Sequence, residues 1–223
     1  MSRKFRRWLF SNIQPTPLDH KDLKAILATR NRKKVEEFQR VLKETSLTLL
    51  DLREYPDAPE VVEDGTTFTE NAVKKALQTA RFTGLPALAD DSGLEVDALG
   101  KRPGVHSARY AGPDATDRQN LEKLLVELEK CPASARTARF VCVLAMADPS
   151  GRTRTFEGRV EGRIAPAPQG ENGFGYDPVF IPEGREQTFA QMPATDKDAM
   201  SHRGRAIASL IAALHDHNRP VLA

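Results

Sequence analysis

Asp90-Asp91-Ser92-Gly93 follows the apolar segment Pro86–Ala89, so two carboxylates meet the end of a buried stretch. Adjacent acids there are costly unless water, a cation or a metal ion compensates them. On an extended chain, neighbours point to opposite faces, and at most one of the pair enters a given cleft. Carboxylate oxygens are the hard ligands that Mg²⁺ takes, one or two at a time beside phosphate and water. The plain alternative is an Asp turn that closes a strand.

A second cluster is Thr29-Arg30-Asn31-Arg32-Lys33-Lys34, at a junction between strand and helix patterns. Free N–H groups and the positive end of a helix suit an anion there, and a lysine one turn in adds a full charge. Neither G-x-x-x-x-G-K-[ST] nor G-x-G-x-x-G occurs, which excludes P-loop and Rossmann readings. A capped helix with a solvated basic face is the competing reading. In Gly173-Phe174-Gly175-Tyr176-Asp177-Pro178, glycines beside aromatics let the backbone approach a flat ligand on which a ring can stack. A structural turn before Val179-Phe180-Ile181 would look the same. Lys197 and Ser201-His202-Arg203 place donors near a helix start, where Ser201 is equally a plain N-cap. His215 and His217 have no ligating neighbours and read as surface residues.

These residues need a scaffold. Lys24–Ala28 reads as a strand, and Val35, Phe38, Val41 and Leu42 fall on one helical face. Leu47–Leu52 is a second apolar run, followed by a proline- and acid-rich loop. Thr67-Phe68-Thr69-Glu70 has the form of a capping box, opening a helix with Ala72, Val73, Ala76, Leu77 and Ala80 as its buried stripe. Residues 101–116 read as a long loop. Thr116 or Asp117 caps a third helix carrying Leu121, Leu124, Leu125 and Leu128. Ala138–Ala147 reads as a buried strand, Thr153–Ile164 as a strand or hairpin, and a last helix starts near His202. Strands alternate with helices and then dominate, which predicts an α/β domain with a mixed central sheet flanked by helices. The functional loops then lie between two lobes of one domain, with the active site in the cleft. The expected boundaries are an N-terminal extension over residues 1–23, the domain over 24–217 and a tail over 218–223.

The chain has 223 residues and a net charge of +2, with 39% hydrophobic residues. This is ordinary for a globular protein, and no run approaches the roughly 20 apolar residues of a membrane helix. Arg3, Lys4, Arg6 and Arg7 create the positive balance; without them acids outnumber bases by two. The body is therefore not a basic surface for nucleic acid. The segment KFRRWLF looks like a twin-arginine signal, but the polar SNIQPTPLDHKD follows it in place of an apolar stretch. Cys131 and Cys142 cannot staple a chain of this length, and Cys142 lies in an apolar run. A cytoplasmic protein is expected.

ILATRNRKKVEEF, VVEDGTTFTENAVKKA, LADDSGLEVDALGKRPGVHSARYAG, ENGFGYDPVFIP and DKDAMSHRGRAI occur in this order. Together they resemble the inosine triphosphatase or Ham1-like family, also called dITP/XTP diphosphatases, from about Ala25 to Leu210. The resemblance implies Mg²⁺-dependent hydrolysis of dITP, ITP and XTP to the monophosphate and pyrophosphate, by a homodimer. It places Thr29 to Lys34 around the triphosphate, with Thr29, Asn31 and Lys34 as the matching positions. Asp91 would accept the proton of the attacking water, close to or bound to the metal, and Ser92 would contact substrate. Phe174, Gly175, Tyr176 and Asp177 would line the base and sugar pocket, and Lys197, His202 and Arg203 would read the purine edge. Donors such as Lys197 and Arg203 suit the C6 carbonyl of hypoxanthine and xanthine, whereas the amino group of adenine leaves them unpaired.

Two positions depart from the family pattern. Arg30 stands where many relatives have glycine, and Val62-Glu63 replaces a Glu-Glu pair of which one member binds metal. Glu63 is the expected second ligand beside Asp91, with Glu37, Glu60 or Glu70 as substitutes. The rival readings are a Maf-like pyrophosphatase for modified pyrimidine nucleotides and a non-catalytic nucleotide-binding protein. The F-G-Y-D and S-H-R motifs argue against the first, and the presence of both Asp91 and Lys34 against the second.

Overall fold

A computed structural model describes residues 23–43, 45–216 and 221–222. Most of the expected N-terminal extension, and His217, lie outside these residues. Leu23 opens the first strand, one position before the expected start.

The strands are β1 (Leu23–Leu27), β2 (Leu47–Asp51), β3 (Ala87–Val96), β4 (Thr137–Ala147), β5 (Thr153–Ile164) and β6 (Phe180–Pro182). They form one sheet in the order β2-β1-β3-β4-β5-β6. β1 pairs in parallel with β2 and β3, through crossovers that hold α1 (Arg32–Leu42) and α2 (Phe68–Thr83). β3 to β6 are antiparallel; a short turn joins β4 to β5, whereas the connection from β3 to β4 carries the third helix and that from β5 to β6 the glycine-rich segment. The expected mixed sheet flanked by helices is present.

Alternation along β1 sends Leu27 and Ile26 to different apolar clusters. Leu27, Leu88 and Leu144 pack with Phe38 of α1 and with Ile207 and Leu210 of the C-terminal helix, His202–Leu214. Ile26, Ala89 and Val143 pack against Ala72, Ala76 and Ala80 of α2, whose small side chains bring the helix close to the sheet. Val73 and Leu77, expected in that stripe, are only half-buried, while Lys75 and Thr79 turn inward. A third cluster joins α3 (Asp117–Glu127) to Phe140, Phe180 and Phe189. Phe140 and Tyr176 of this cluster line one of the two cavities described below.

The caps follow the sequence. Thr67 and Glu70 form the reciprocal capping box of α2, worth about 1 kcal/mol, and Thr116 with Gln119 does the same for α3. The expected long loop contains a 3₁₀ turn, Gly104–Arg109, and an additional short helix α4 (Ala194–Met200) precedes α5 (His202–Leu214). Val221 is buried in the first cluster with Leu222 packed beside it, so the segment expected as a tail contributes to the core.

Candidate active site

No turn interrupts Asp90-Asp91-Ser92-Gly93: all four belong to β3, which pairs with β4 throughout. Asp90 and Ser92 therefore face α1 and α5, and Asp91 faces α2. Asp90 is buried among cations. It is ion-paired with Lys34, accepts a hydrogen bond from Arg203 Nε at 3.1 Å, and has Cys142 Sγ at 3.1 Å. Burial opposes its ionisation, but Arg203 and Lys34 outweigh that and hold the carboxyl well below the usual range. Cys142 is a buried free thiol, as expected.

Asp91 has the opposite balance. Burial pushes its carboxyl up to about 6, because Lys75, 3.8 Å away, compensates only in part and Glu63 adds like charge. Asp91 Oδ2 is buried without a hydrogen-bond partner among the described residues. Lys75 Nζ also donates to Glu63 Oε1 at 2.8 Å and to the Asp90 carbonyl at 2.7 Å, so Glu63 and Asp91 converge on one ammonium. The loop that carries Glu63 is itself held, with Gly65 N–H donating to Asn71 Oδ1 at 2.8 Å. The substitutes for Glu63 are engaged elsewhere or lie further along the loop. Glu70 serves the capping box, Glu37 binds Lys197 and Arg203, and Glu60 lines the same cavity without a partner among the described residues.

Around α1, the capped-helix reading of the second cluster holds. Asn31 is the N-cap: its Oδ1 accepts from the N–H groups of Lys33 and Lys34, and its own N–H donates to Thr29 Oγ1. These donors, expected to be free for an anion, are occupied, so side-chain cations dominate there. Lys34 reaches Asp90, while Arg30 crosses the cleft to donate to the Ala58 carbonyl at 2.7 Å. Among the described non-glycine residues only Lys101 has a positive φ, so Arg30 carries no left-handed backbone. Arg32 is exposed at the first turn of α1 and lines none of the cavities described below, against expectation. Lys33 lies 3.7 Å from Asp117 and 5.8 Å from the centre of the Phe174 ring, beside the aromatic residues and away from Asp90.

The remaining predicted residues gather on the other side of Lys34. Lys197 Nζ donates to Asp177 Oδ2 at 2.7 Å and to Glu37 Oε1 at 2.8 Å. Arg203 is ion-paired with Glu37 and donates to Ser92 Oγ at 2.9 Å. Burial works against the charge on Lys197, and the two carboxylates more than restore it. Each cation keeps unused N–H donors. Phe174 lies with Lys197 4.9 Å and Arg203 5.7 Å from its ring centre. Its N–H donates to Asp177 Oδ2 at 2.8 Å, that of Gly175 to Asp117 Oδ2 at 2.9 Å, and Tyr176 Oη to the Ser107 carbonyl at 2.8 Å. His202 stacks on Phe140, with ring centres 4.6 Å apart. Burial and the cations Arg203 and Lys197 keep it neutral, and its Nδ1 has no partner among the described residues. His215 is exposed, as expected.

Two cavities meet here. One, of about 270 Å³, is lined by Thr29, Arg30, Lys34, Glu63, Lys75 and Asp91. The other, of about 110 Å³, is lined by Phe140, Phe174, Tyr176, Lys197, His202 and Arg203. Asn31, Lys34 and Ser92 line both. The cleft thus has a charged half next to Asp91 and an aromatic half next to Phe174, joined at Lys34. Glu37 and Lys75 were not singled out as charge partners of the site. A signal existed for each: Glu37 lies one turn after Lys34, and Lys75 interrupts the alanine stripe of α2.

The model of the Ham1 family matches residues 25–213. A dITP/XTP pyrophosphatase of Geobacter sulfurreducens is 52% identical over 185 residues, covering 83% of this chain and 93% of the relative. One from Syntrophobacter fumaroxidans is 55% identical, over 83% of this chain and 79% of the relative. Among solved structures, a HAM1 protein from Coxiella burnetii superposes with a TM-score of 0.80 at 42% identity, covering 86% of this chain and 98% of that one. A nucleoside-triphosphatase / dITP/XTP pyrophosphatase from Mycobacterium abscessus gives 0.71 at 46% identity, over 85% and 99%.

Proposed function

The chain belongs to the Ham1 family, and from that premise we propose that it hydrolyses dITP, ITP and XTP to the monophosphate and pyrophosphate. The observation that carries the reading is the joined cleft: a cation-rich half containing Asp91 meets, at Lys34 and Ser92, an aromatic half containing Phe174 and three purine-edge candidates. A nucleoside triphosphate has the same order of chemistry, polyanion at one end and flat base at the other.

In this reading the bond broken is the anhydride between the α- and β-phosphates. Asp91 accepts the proton of the attacking water: its Oδ2 has no donor among the described residues, and its raised pKa makes it a better base than an ordinary carboxylate. Lys34 and Lys75 offset charge on the phosphate oxygens, so positioning and electrostatics supply most of the acceleration. Asp91 and Glu63 fit a Mg²⁺ ion, being hard oxygen donors of which one is buried and unpartnered. When bound there, the ion supplies further positive charge toward the polyphosphate. Among the described residues no three His, Cys, Asp or Glu side chains form a metal-binding group, so phosphate and water would complete its shell.

Base choice rests on Lys197, His202 and Arg203. Unused donors of the two cations suit a C6 carbonyl and find no acceptor in the amino group of adenine. Glu37 and Asp177 hold those cations in place. Homodimer formation and action in the cytoplasm belong to the same reading through the family resemblance. No helix among the described residues is long and apolar enough to cross a membrane.

A panel of dITP, ITP, XTP, dATP, dGTP and dUTP, assayed with Mg²⁺ and separate detection of pyrophosphate and orthophosphate, tests the reading. Pyrophosphate from the first three and far slower turnover of dATP are expected. Orthophosphate alone, or equal rates on dATP, would overturn it.

A further inference from the structure

The 3₁₀ turn Gly104–Arg109 reaches both halves of the cleft, with Ser107 and Ala108 on the aromatic cavity and Val105, Ala108 and Arg109 on the charged one. It is braced from three sides. Leu94 N–H of β3 donates to Ser107 Oγ at 2.9 Å, Tyr176 Oη donates to the Ser107 carbonyl at 2.8 Å, and Asn120 Nδ2 of α3 donates to the Ala108 carbonyl at 3.0 Å. The turn also lies directly on β3: a Cβ at Gly93 would stand 2.4 Å from Ser107 Oγ and 2.5 Å from the Gly104 carbonyl oxygen. Gly104–Arg109 is therefore a fixed support between the two cavities.

Arg109, the last residue of the turn, extends from that support to the loop that carries Glu63. Its Nη2 donates to the Glu63 carbonyl at 3.0 Å, and it has no carboxylate partner among the described residues. The loop needs such a tie. Val62 is 69% exposed, so apolar packing does not fix the chain just before Glu63. The Glu63 carboxylate must nevertheless reach the ammonium of Lys75, 2.8 Å away, which also stands 3.8 Å from Asp91. Holding the peptide group of a residue sets where its side chain begins. On this reading of the function, we propose that Arg109 is a positioning residue, which holds the Glu63 backbone so that its carboxylate stands beside Asp91 to receive the divalent ion. It acts through Glu63 and not on the nucleotide.

The test is Mn²⁺ binding to the nucleotide-free protein, read from the electron paramagnetic resonance of the unbound ion, for the unaltered chain, Arg109→Gln and Arg109→Lys. Arg109→Gln should weaken Mn²⁺ binding about ten-fold or more, the usual effect of losing a hydrogen bond that orients a metal-binding residue. Arg109→Lys should lose less, because a single carbonyl acceptor needs one N–H donor and not the whole guanidinium fork. The sign of the change is decisive. A cation removed from beside a metal site favours the metal by simple repulsion, so a residue acting by its charge or on the phosphates alone would leave Mn²⁺ binding equal or tighter in Arg109→Gln. The dITP turnover of that variant should fall at low Mg²⁺ and recover as Mg²⁺ is raised. Arg109 is half-buried, so both variants should melt near the unaltered protein. Equal or tighter Mn²⁺ binding in Arg109→Gln would overturn the proposal, as would a fall in Tm with no change in Mn²⁺ affinity. Absence of dITP turnover in the unaltered protein would instead overturn the functional reading, while the Mn²⁺ titrations would still decide the role of Arg109.

Discussion

Asp90 and Asp91 are consecutive in β3, face opposite sides of the sheet, and are held in opposite electrostatic states. Asp90 Oδ2 has Arg203 Nε and Cys142 Sγ each at 3.1 Å, whereas Asp91 Oδ2 has no partner among the described residues. The first carboxylate anchors the cations Lys34 and Arg203. The second is a buried charge with incomplete compensation, the condition that raises a pKa and suits a proton acceptor.

Asp91→Asn should lower kcat for dITP by roughly 10²–10⁴-fold, the usual contribution of a general base. The same substitution should stabilise the metal-free protein. The folded-state pKa of about 6 lies above the ordinary aspartate value of 3.8, so the folded protein binds the proton more tightly than the unfolded chain. Ionised Asp91 therefore destabilises the fold above pH 6, and this penalty fades as pH falls toward 4. By linkage it amounts to up to about 3 kcal/mol. Urea unfolding in EDTA should show the Asp91→Asn variant gaining over the unaltered protein at pH 8 and losing that advantage near pH 4. A constant difference across that range would refute the raised pKa.

Asp90→Asn should be mainly a structural lesion. It leaves Arg203 and Lys34 short of a buried counter-charge, a change that typically costs about 3–5 kcal/mol. A large fall in Tm, with weaker discrimination between dITP and dATP in the protein that still folds, is expected. Unchanged Tm with abolished turnover would mean that Asp90, not Asp91, is the proton acceptor.

Lys197→Met should cut the preference for dITP over dATP by roughly ten- to a hundred-fold, the value of one charge-assisted hydrogen bond. Lys34→Ala should depress kcat/KM for both nucleotides by similar factors, because both carry the same triphosphate. The comparison is the ratio of kcat/KM values in each variant. A changed ratio in Lys34→Ala alone would mean that the two ends of the cleft are assigned backwards.

Gly158→Ala tests how α5 is placed. A Cβ at position 158 would lie 2.1 Å from the His202 carbonyl oxygen and 2.4 Å from the Ala206 nitrogen. The helix must then move away from β5, at a cost of about 1–3 kcal/mol. His202 and Arg203 move with it, so a rise in KM for dITP should accompany the lower Tm. A change in Tm alone would show that the start of α5 does not govern base binding.

The order of elements was legible in the residues themselves, because period and capping are local properties. The Thr67–Glu70 box, the Ser201 cap and the apolar runs of β1, β3 and β4 each depend on neighbours within a few positions. The motif residues could likewise be named from their types, and two neighbouring acids on an extended segment had to face opposite ways. Which of them is compensated could not be read locally. Lys34 lies 56 positions from Asp90 and Arg203 lies 113 positions away, and only the crossover of α1 and the return of α5 bring them to one carboxylate. The same holds for Lys197 and Glu37, separated by 160 positions, and for Lys75, which a stripe of alanines disguised as part of a packing face. Charge compensation depends on distance and burial in three dimensions, so the sheet, by stacking α1 and α5 on one face and α2 on the other, decided that Asp90 is compensated by two cations and that Asp91 is compensated only in part.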